Sequence, residues 1–376
     1  MKPSLLLLAA LVALPVAACG EAPPPPAEVP PPPPPVVATV PAPAVTTAPT
    51  AAPEPTAEEK KKIADAKEFA EERAKSEADG KAELARWTPE LHAEAKALGG
   101  KTYATPKAAL DAVLAAKYRK PGNAARDQYR HPRETLTFFG WKPTMTVFEY
   151  GPGEGWFTEL LAPALASKGK LLVNTGDVKG PAEQRSTFYA QRLQRFLETS
   201  PEAYGKVQSV LVADSNKPAL GLDGTVDMFL VMRGMHGWMR QKLTTAWLAE
   251  IHKALKPNGI LGIEAHRAKA DANPEDAVKT GYLPEAWVIA QVEAAGFKLA
   301  GKSEVNANPK DTKDYPEGVW TLPPSFELKD KDHDKYAAIG ESDRMTLKFT
   351  RVAAKADPKA APKAAPKADP KAAPKK

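Results

Sequence analysis

From Thr144 onward, short apolar runs alternate with helical stretches, the rhythm of a sheet with crossover helices. The runs predict strands at 145–150, 170–174, 207–213, 226–232 and 259–265. Helices fill the intervals at 156–167, 183–198, 240–255 and 284–295, and strands near 297–303 and at 345–351 complete the sheet. The polar, proline-containing segment 304–344 interrupts the rhythm and reads as an insertion over one face. Upstream the pattern is helical. Thr56 and Glu59 have capping-box spacing, and the Ala, Glu and Lys content to about Arg86 favours a helix. Its thin stripe of Ile63, Phe69 and alanines either packs weakly or leaves the helix largely solvated. Thr88-Pro89 and Thr105-Pro106 each place a capping hydroxyl before a first-turn proline, and Gly99-Gly100 ends the first of these two helices. The expectation is an α/β domain at 125–352 behind a helical lead-in at 57–124.

Neither end shares these patterns. Prolines crowd the segment 19–56, and the tail 353–376 repeats Lys, Ala and Pro, so neither can build a core. The first is expected to be an extended linker, reaching on the order of 100 Å as polyproline II. The chain's formal charge is +6, but the tail from Lys355 onward carries seven lysines against two aspartates. The folded part is therefore close to neutral, and no nucleic-acid partner is expected. Residues 1–18 hold one lysine, the apolar run Leu5–Val12 and small residues, the layout of a secretion signal too short to span a bilayer. No later stretch reads as a transmembrane helix. Val16-Ala17-Ala18-Cys19 resembles the bacterial lipobox, in which the cysteine after the cut is acylated. Cys19 is the only cysteine of the chain, which also excludes an internal disulfide. The alternative is an ordinary signal with an incidental cysteine. Lipidation implies a protein anchored in the bacterial cell envelope, and Gly20 after the cysteine points to the periplasmic face of the outer membrane.

The stretch Val147-Phe148-Glu149-Tyr150-Gly151-Pro152-Gly153-Glu154-Gly155-Trp156 runs an apolar strand into three alternating glycines and then a helix. That arrangement puts backbone amides and a helix start around a ligand. A dinucleotide loop needs a third glycine where Trp156 stands, and an indole cannot fill that place, so pyrophosphate binding is disfavoured. The pattern resembles motif I of class I methyltransferases that depend on S-adenosylmethionine (SAM). The resemblance covers roughly residues 125–351 and implies a Rossmann-like class I methyltransferase sheet with SAM as cofactor. It implies that Gly151, Gly153 and Gly155 let the chain pass close to the methionine part of SAM, while Glu149 orients the loop and the cofactor's amino group. It also implies a ribose contact near Asn174, where the family usually has an acid, with Asp177 three residues on, and an adenine contact at Asp214. For Asp214 a turn or a helix cap is the structural alternative. Leu255-Lys256-Pro257-Asn258-Gly259 resembles the family's turn before the fifth strand. A narrower resemblance, to a group known only as predicted methyltransferases, lies in Arg126–Pro132, Glu134–Gly140 and Ile339–Phe349.

In this family the acceptor lies beyond the fourth strand, here Met232-Arg233-Gly234-Met235-His236-Gly237-Trp238-Met239. The Asn-Pro-Pro-Tyr motif of amino-methylating enzymes is missing. His236 is a candidate base, or a histidine fixed by structural hydrogen bonds, and Trp238 a candidate aromatic wall. His131, with Arg130, either closes over the site or packs structurally, and His266 is a third candidate. Arg344 beside Asp343 reads as a structural ion pair. No histidine or carboxylate spacing recommends a metal site. Two readings result: a SAM-dependent methyltransferase of unidentified acceptor, or a non-catalytic binding or scaffold lipoprotein of the same fold. Export away from the cytoplasmic supply of SAM favours the second.

Overall fold

The structure is a computed structural model that describes residues 56–352. The expected signal peptide, Cys19, the proline-rich linker up to residue 55 and the tail 353–376 lie outside the described residues. Residues 56–59 open the helix Ala57–Arg86 through the capping box: the Thr56 amide donates to Glu59 at 2.7 Å, and the Glu59 amide donates to the Thr56 hydroxyl at 3.2 Å.

From Lys60 on, the chain is organised by one sheet. Its strands are β1 (Thr146–Tyr150), β2 (Lys170–Thr175), β3 (Gln208–Leu211), β4 (Val226–Met232), β5 (Leu255–His266), β6 (Phe297–Ser303) and β7 (Arg344–Arg351). They lie in the order β3-β2-β1-β4-β5-β7-β6, with β1 to β5 parallel and β7 antiparallel to both β5 and β6. This is a Rossmann-like α/β architecture. Only Asp227 of β4 is not buried, the near-continuous apolar run expected of a parallel strand covered on both faces. Alternate residues feed the two faces. Val147, Leu171, Met228 and Leu230 join the helices Pro132–Phe139 and Thr158–Leu165. Phe148, Phe229 and Ile263 join Thr244–Ala254 and Glu285–Ala294, with Phe148 stacked on Phe229 at 4.4 Å.

The helix expected at 240–255 is instead two, Met235–Arg240 and Thr244–Ala254. Between them Lys242 turns left-handed at φ +59°, and the Leu243 amide bonds back to Trp238 at 2.7 Å. The break allows Trp238 and Trp247 to stack at 5.7 Å, a tertiary gain that outweighs helix continuity. The third strand ends at Leu211 rather than residue 213, and the fifth begins early because Leu255 already pairs with Val226 across an irregularity.

The lead-in shares the sheet's core. Trp87, Leu110, Val113 and Tyr118 lie in the same buried cluster as Val147 and Leu161. Thr88 and Thr105 cap their helices as the sequence implies. All eight residues of Thr158–Leu165 are buried beneath this cover. The segment 304–344 forms a short turn of 3-10 helix, Gly318–Thr321, and the helix His333–Ile339. It is tied down by the Tyr282 hydroxyl donating to Asp311 at 2.9 Å and by Asp343 pairing with Arg267 at 3.0 Å and Lys313 at 2.7 Å.

Candidate functional site

β1 leaves the sheet centre between β2 and β4, the place where an open α/β sheet opens a crevice beyond its carboxyl ends. A cavity of about 460 Å³ lies there, a size suited to a small ligand. Its wall combines the glycine loop, the end of β2, one face of the helix Arg185–Glu198 and the turn after β4.

Gly151 and Gly153 both stand at φ +61°, a backbone state that side chains make costly. A Cβ on Gly151 would meet nothing within 4 Å, and one on Gly153 only a carbonyl at 3.9 Å, so both present open backbone to the cavity. Gly155 differs. It also has positive φ, but a Cβ there would lie 2.3 Å from the Phe196 ring, and the residue is not on the cavity wall. Trp156, where a dinucleotide loop would have glycine, is buried and donates from its indole to the Asn123 carbonyl at 2.9 Å.

Glu149 is turned behind the loop, 3% exposed, and accepts from the Thr158 hydroxyl at 2.7 Å. It braces strand to helix and is absent from the cavity wall. Burial pushes its carboxyl up to about 7, against the pull of Thr158 and Arg233. The unfolded chain releases this proton near 4.5, so the folded state is favoured below that pH and loses the advantage as pH rises through about 7. Glu149→Gln keeps an acceptor for Thr158. It is expected to leave stability unchanged near pH 4.5 and raise it at pH 8 by up to about 3 kcal/mol, read by denaturant unfolding at both pH values.

Asn174 lines the cavity, but its Oδ1 accepts from the Gly151 amide at 2.7 Å, so the oxygen shapes the glycine loop. Asp214 lies outside the wall, with Val212 and Ser215 there in its place. Its carboxylate accepts from the Asn216 amide at 2.8 Å in a tight turn, the structural alternative noted above.

His236, second residue of the helix Met235–Arg240, is on the wall and half-buried. Its ring lies 5.6 Å from that of His266 and 5.9 Å from that of Trp320, and makes no hydrogen bond to another described residue. Burial pushes the imidazole down to about 4, reinforced by Arg240 and Arg233, so near neutral pH it is uncharged and only a weak base. Trp238 is not the wall. It is 1% exposed and supports Tyr150, whose ring does line the cavity, from 4.7 Å.

His131 is not brought to the cavity. It turns left-handed at φ +39° between two helices, 3.4 Å from Asn306, while Arg130 lies over Trp156 and pairs with Glu341 at 3.1 Å. His266 is half-buried with Nδ1 2.6 Å from the Ser342 hydroxyl. Arg344 is structural, but its partners are Glu264 at 2.7 Å and Glu341 at 2.5 Å rather than Asp343. Two of the three segments of the narrower resemblance, Arg126–Pro132 and Ile339–Phe349, thus meet at one buried charge cluster. Sequence reasoning gave no role to Tyr189, Arg192 and Arg233, which all line the cavity. For Tyr189 the available signal was the helical face it shares with Ser186 and Leu193.

No family model matches the chain, and no curated protein matches it. Among solved structures, a SAM-dependent methyltransferase from Aquifex aeolicus is 22% identical, over 62% of this chain and 94% of its own, with a TM-score of 0.39. The cyclase SpnF is 16% identical, over 60% of this chain and 81% of its own, with a TM-score of 0.40. The glycopeptide N-methyltransferase MtfA, complexed with sinefungin, is 13% identical, over 60% and 87%, with a TM-score of 0.39. By its strand order and its antiparallel β7 the chain has the class I methyltransferase fold.

Proposed function

We propose that the chain is a SAM-dependent methyltransferase of the cell envelope, with SAM in the cavity beyond β1 and β2 and the acceptor beside His236. The observation that carries the reading is the open backbone of Gly151 and Gly153 against a cavity of ligand size. Bound SAM supplies an electrophilic methyl group, and the protein's part is chiefly to hold the acceptor in line with it. Where the acceptor loses a proton, uncharged His236 takes it. Because that ring stays unprotonated down to about pH 4, pH dependence near neutrality belongs to the acceptor or to Glu149 behind the loop, not to His236.

Calorimetric titration of SAM into the full chain tests the cofactor. The parent is expected to bind, and Gly153→Trp, which projects a side chain into open space, to lose roughly tenfold affinity or more while keeping its melting temperature within a few degrees. No heat in the parent discards SAM-dependent catalysis. A non-catalytic binding or scaffold lipoprotein is the second reading, favoured by the wall's lack of any carboxylate and by the prior engagement of Asn174 with Gly151. SAM binding without methyl transfer to envelope fractions supports it. The anchor rests on Val16–Cys19 and Gly20: Cys19→Ser is expected to release the protein from membranes and abolish labelling by a radioactive fatty acid.

A further inference from the structure

We infer that the acceptor carries an anionic group, a carboxylate or a phosphate, that docks on Arg233 beside His236. The inference rests on the reading of the cavity as a methyltransferase site. Three observations carry it.

The ionisable side chains with charge or basicity on the wall are Arg192, Arg233 and uncharged His236, and no aspartate or glutamate joins them. SAM brings a sulfonium and an ammonium against one carboxylate, so neither wall nor cofactor supplies net negative charge. Behind the wall lies a buried cluster in which Arg126, Arg130, Arg233 and Arg344 share only Glu264 and Glu341. Two guanidiniums are in excess. Arg126 Nη2 is buried with no hydrogen-bond partner among the described residues. Burial presses the Arg126 guanidinium below its ordinary range, with Arg233 and Arg344 adding to the effect and Glu341 opposing it. Uncompensated buried charge is costly, and an anion arriving at the open side of the cluster offsets it.

Arg233 is the member of the cluster that reaches the cavity. It stands at φ +60°, where a non-glycine residue is strained, and strain of this kind persists where the surroundings hold a side chain in place. Its side-chain hydrogen bonds use Nη1 alone, to Glu264 at 3.1 and 3.2 Å, which leaves Nε and Nη2 to donate. A planar guanidinium with two N–H groups to spare is suited to bidentate capture of an oxyanion. Its position one residue before Gly234 and three before His236 sets the anion next to the candidate base.

The experiment titrates benzoate, phenyl phosphate and neutral benzyl alcohol into the full chain, alone and saturated with S-adenosylhomocysteine. Both anions are expected to bind roughly tenfold tighter than benzyl alcohol, and raising salt from about 0.05 to about 0.5 M is expected to weaken the anions selectively. Arg233→Gln is expected to erase the preference, and Arg233→Lys to restore part of it. The glutamine variant is expected to fold, since Glu264 keeps Arg344 at 2.7 Å, and its melting curve checks this. Equal binding of anions and alcohol in the parent overturns the inference. So does a preference that survives Arg233→Gln, including the case in which that variant weakens S-adenosylhomocysteine instead, because the arginine then serves the cofactor's own carboxylate. If the parent binds the anions but not S-adenosylhomocysteine, the cofactor reading fails and the oxyanion seat stands. If it binds S-adenosylhomocysteine without the anion preference, the inference alone fails.

Discussion

Replacing Arg119 with methionine is expected to lower folding stability by about 3–5 kcal/mol. Arg119 joins the lead-in to the sheet domain. Its side chain is 1% exposed and pairs with Glu159, also 1% exposed, at 3.0 Å, and with Asp127 through its other guanidinium nitrogens. Without it Glu159 keeps only neutral donors, the Asn123 carboxamide at 3.1 Å and the Lys120 amide at 3.3 Å. Burial already pushes the Glu159 carboxyl upward, and removing the opposing cation strengthens that shift. A raised carboxyl favours the folded state only at low pH, so the loss is expected to be greater at pH 8 than at pH 5. Urea unfolding at both pH values measures it, and adding Glu159→Gln is expected to recover part of the loss at pH 8. A loss below about 1 kcal/mol, or one independent of pH, contradicts this account.

Gly155→Ala is expected to cost about 2–5 kcal/mol, whereas Gly151→Ala costs about 1–2 kcal/mol. Both residues stand at positive φ, so both substitutions strain the backbone. At Gly151 that strain is the whole effect, because nothing lies within 4 Å of the new methyl group. At Gly155 the methyl group would sit 2.3 Å from the Phe196 ring on the helix Arg185–Glu198, whose other face lines the cavity. The helix must move or the loop must open. Comparing the two variants by thermal unfolding separates the conformational demand of the loop from its packing demand. Similar losses would show that Phe196 gives way easily.

What the sequence determined by itself is what local forces determine. The caps at Thr56, Thr88 and Thr105 act within three residues, so spacing alone exposes them. The strand at 226–232 follows from an apolar run that only a sheet covered on both faces can bury, and the three glycines from a turn that needs positive φ. Strand type and helix sequence then lead to a Rossmann-like sheet. Tertiary structure decided where side chains point and what they meet. Glu149 turns behind the loop to Thr158, Gly155 answers to a ring 41 residues away, and Trp238 supports Tyr150 instead of forming the wall. His131 is held at a helix junction, while Arg233, unremarkable in sequence, gains its place from a left-handed turn and from Glu264 on the neighbouring strand. The reason is physical: backbone preferences are set by neighbours in the chain, but burial and ion pairing depend on segments that only folding brings together.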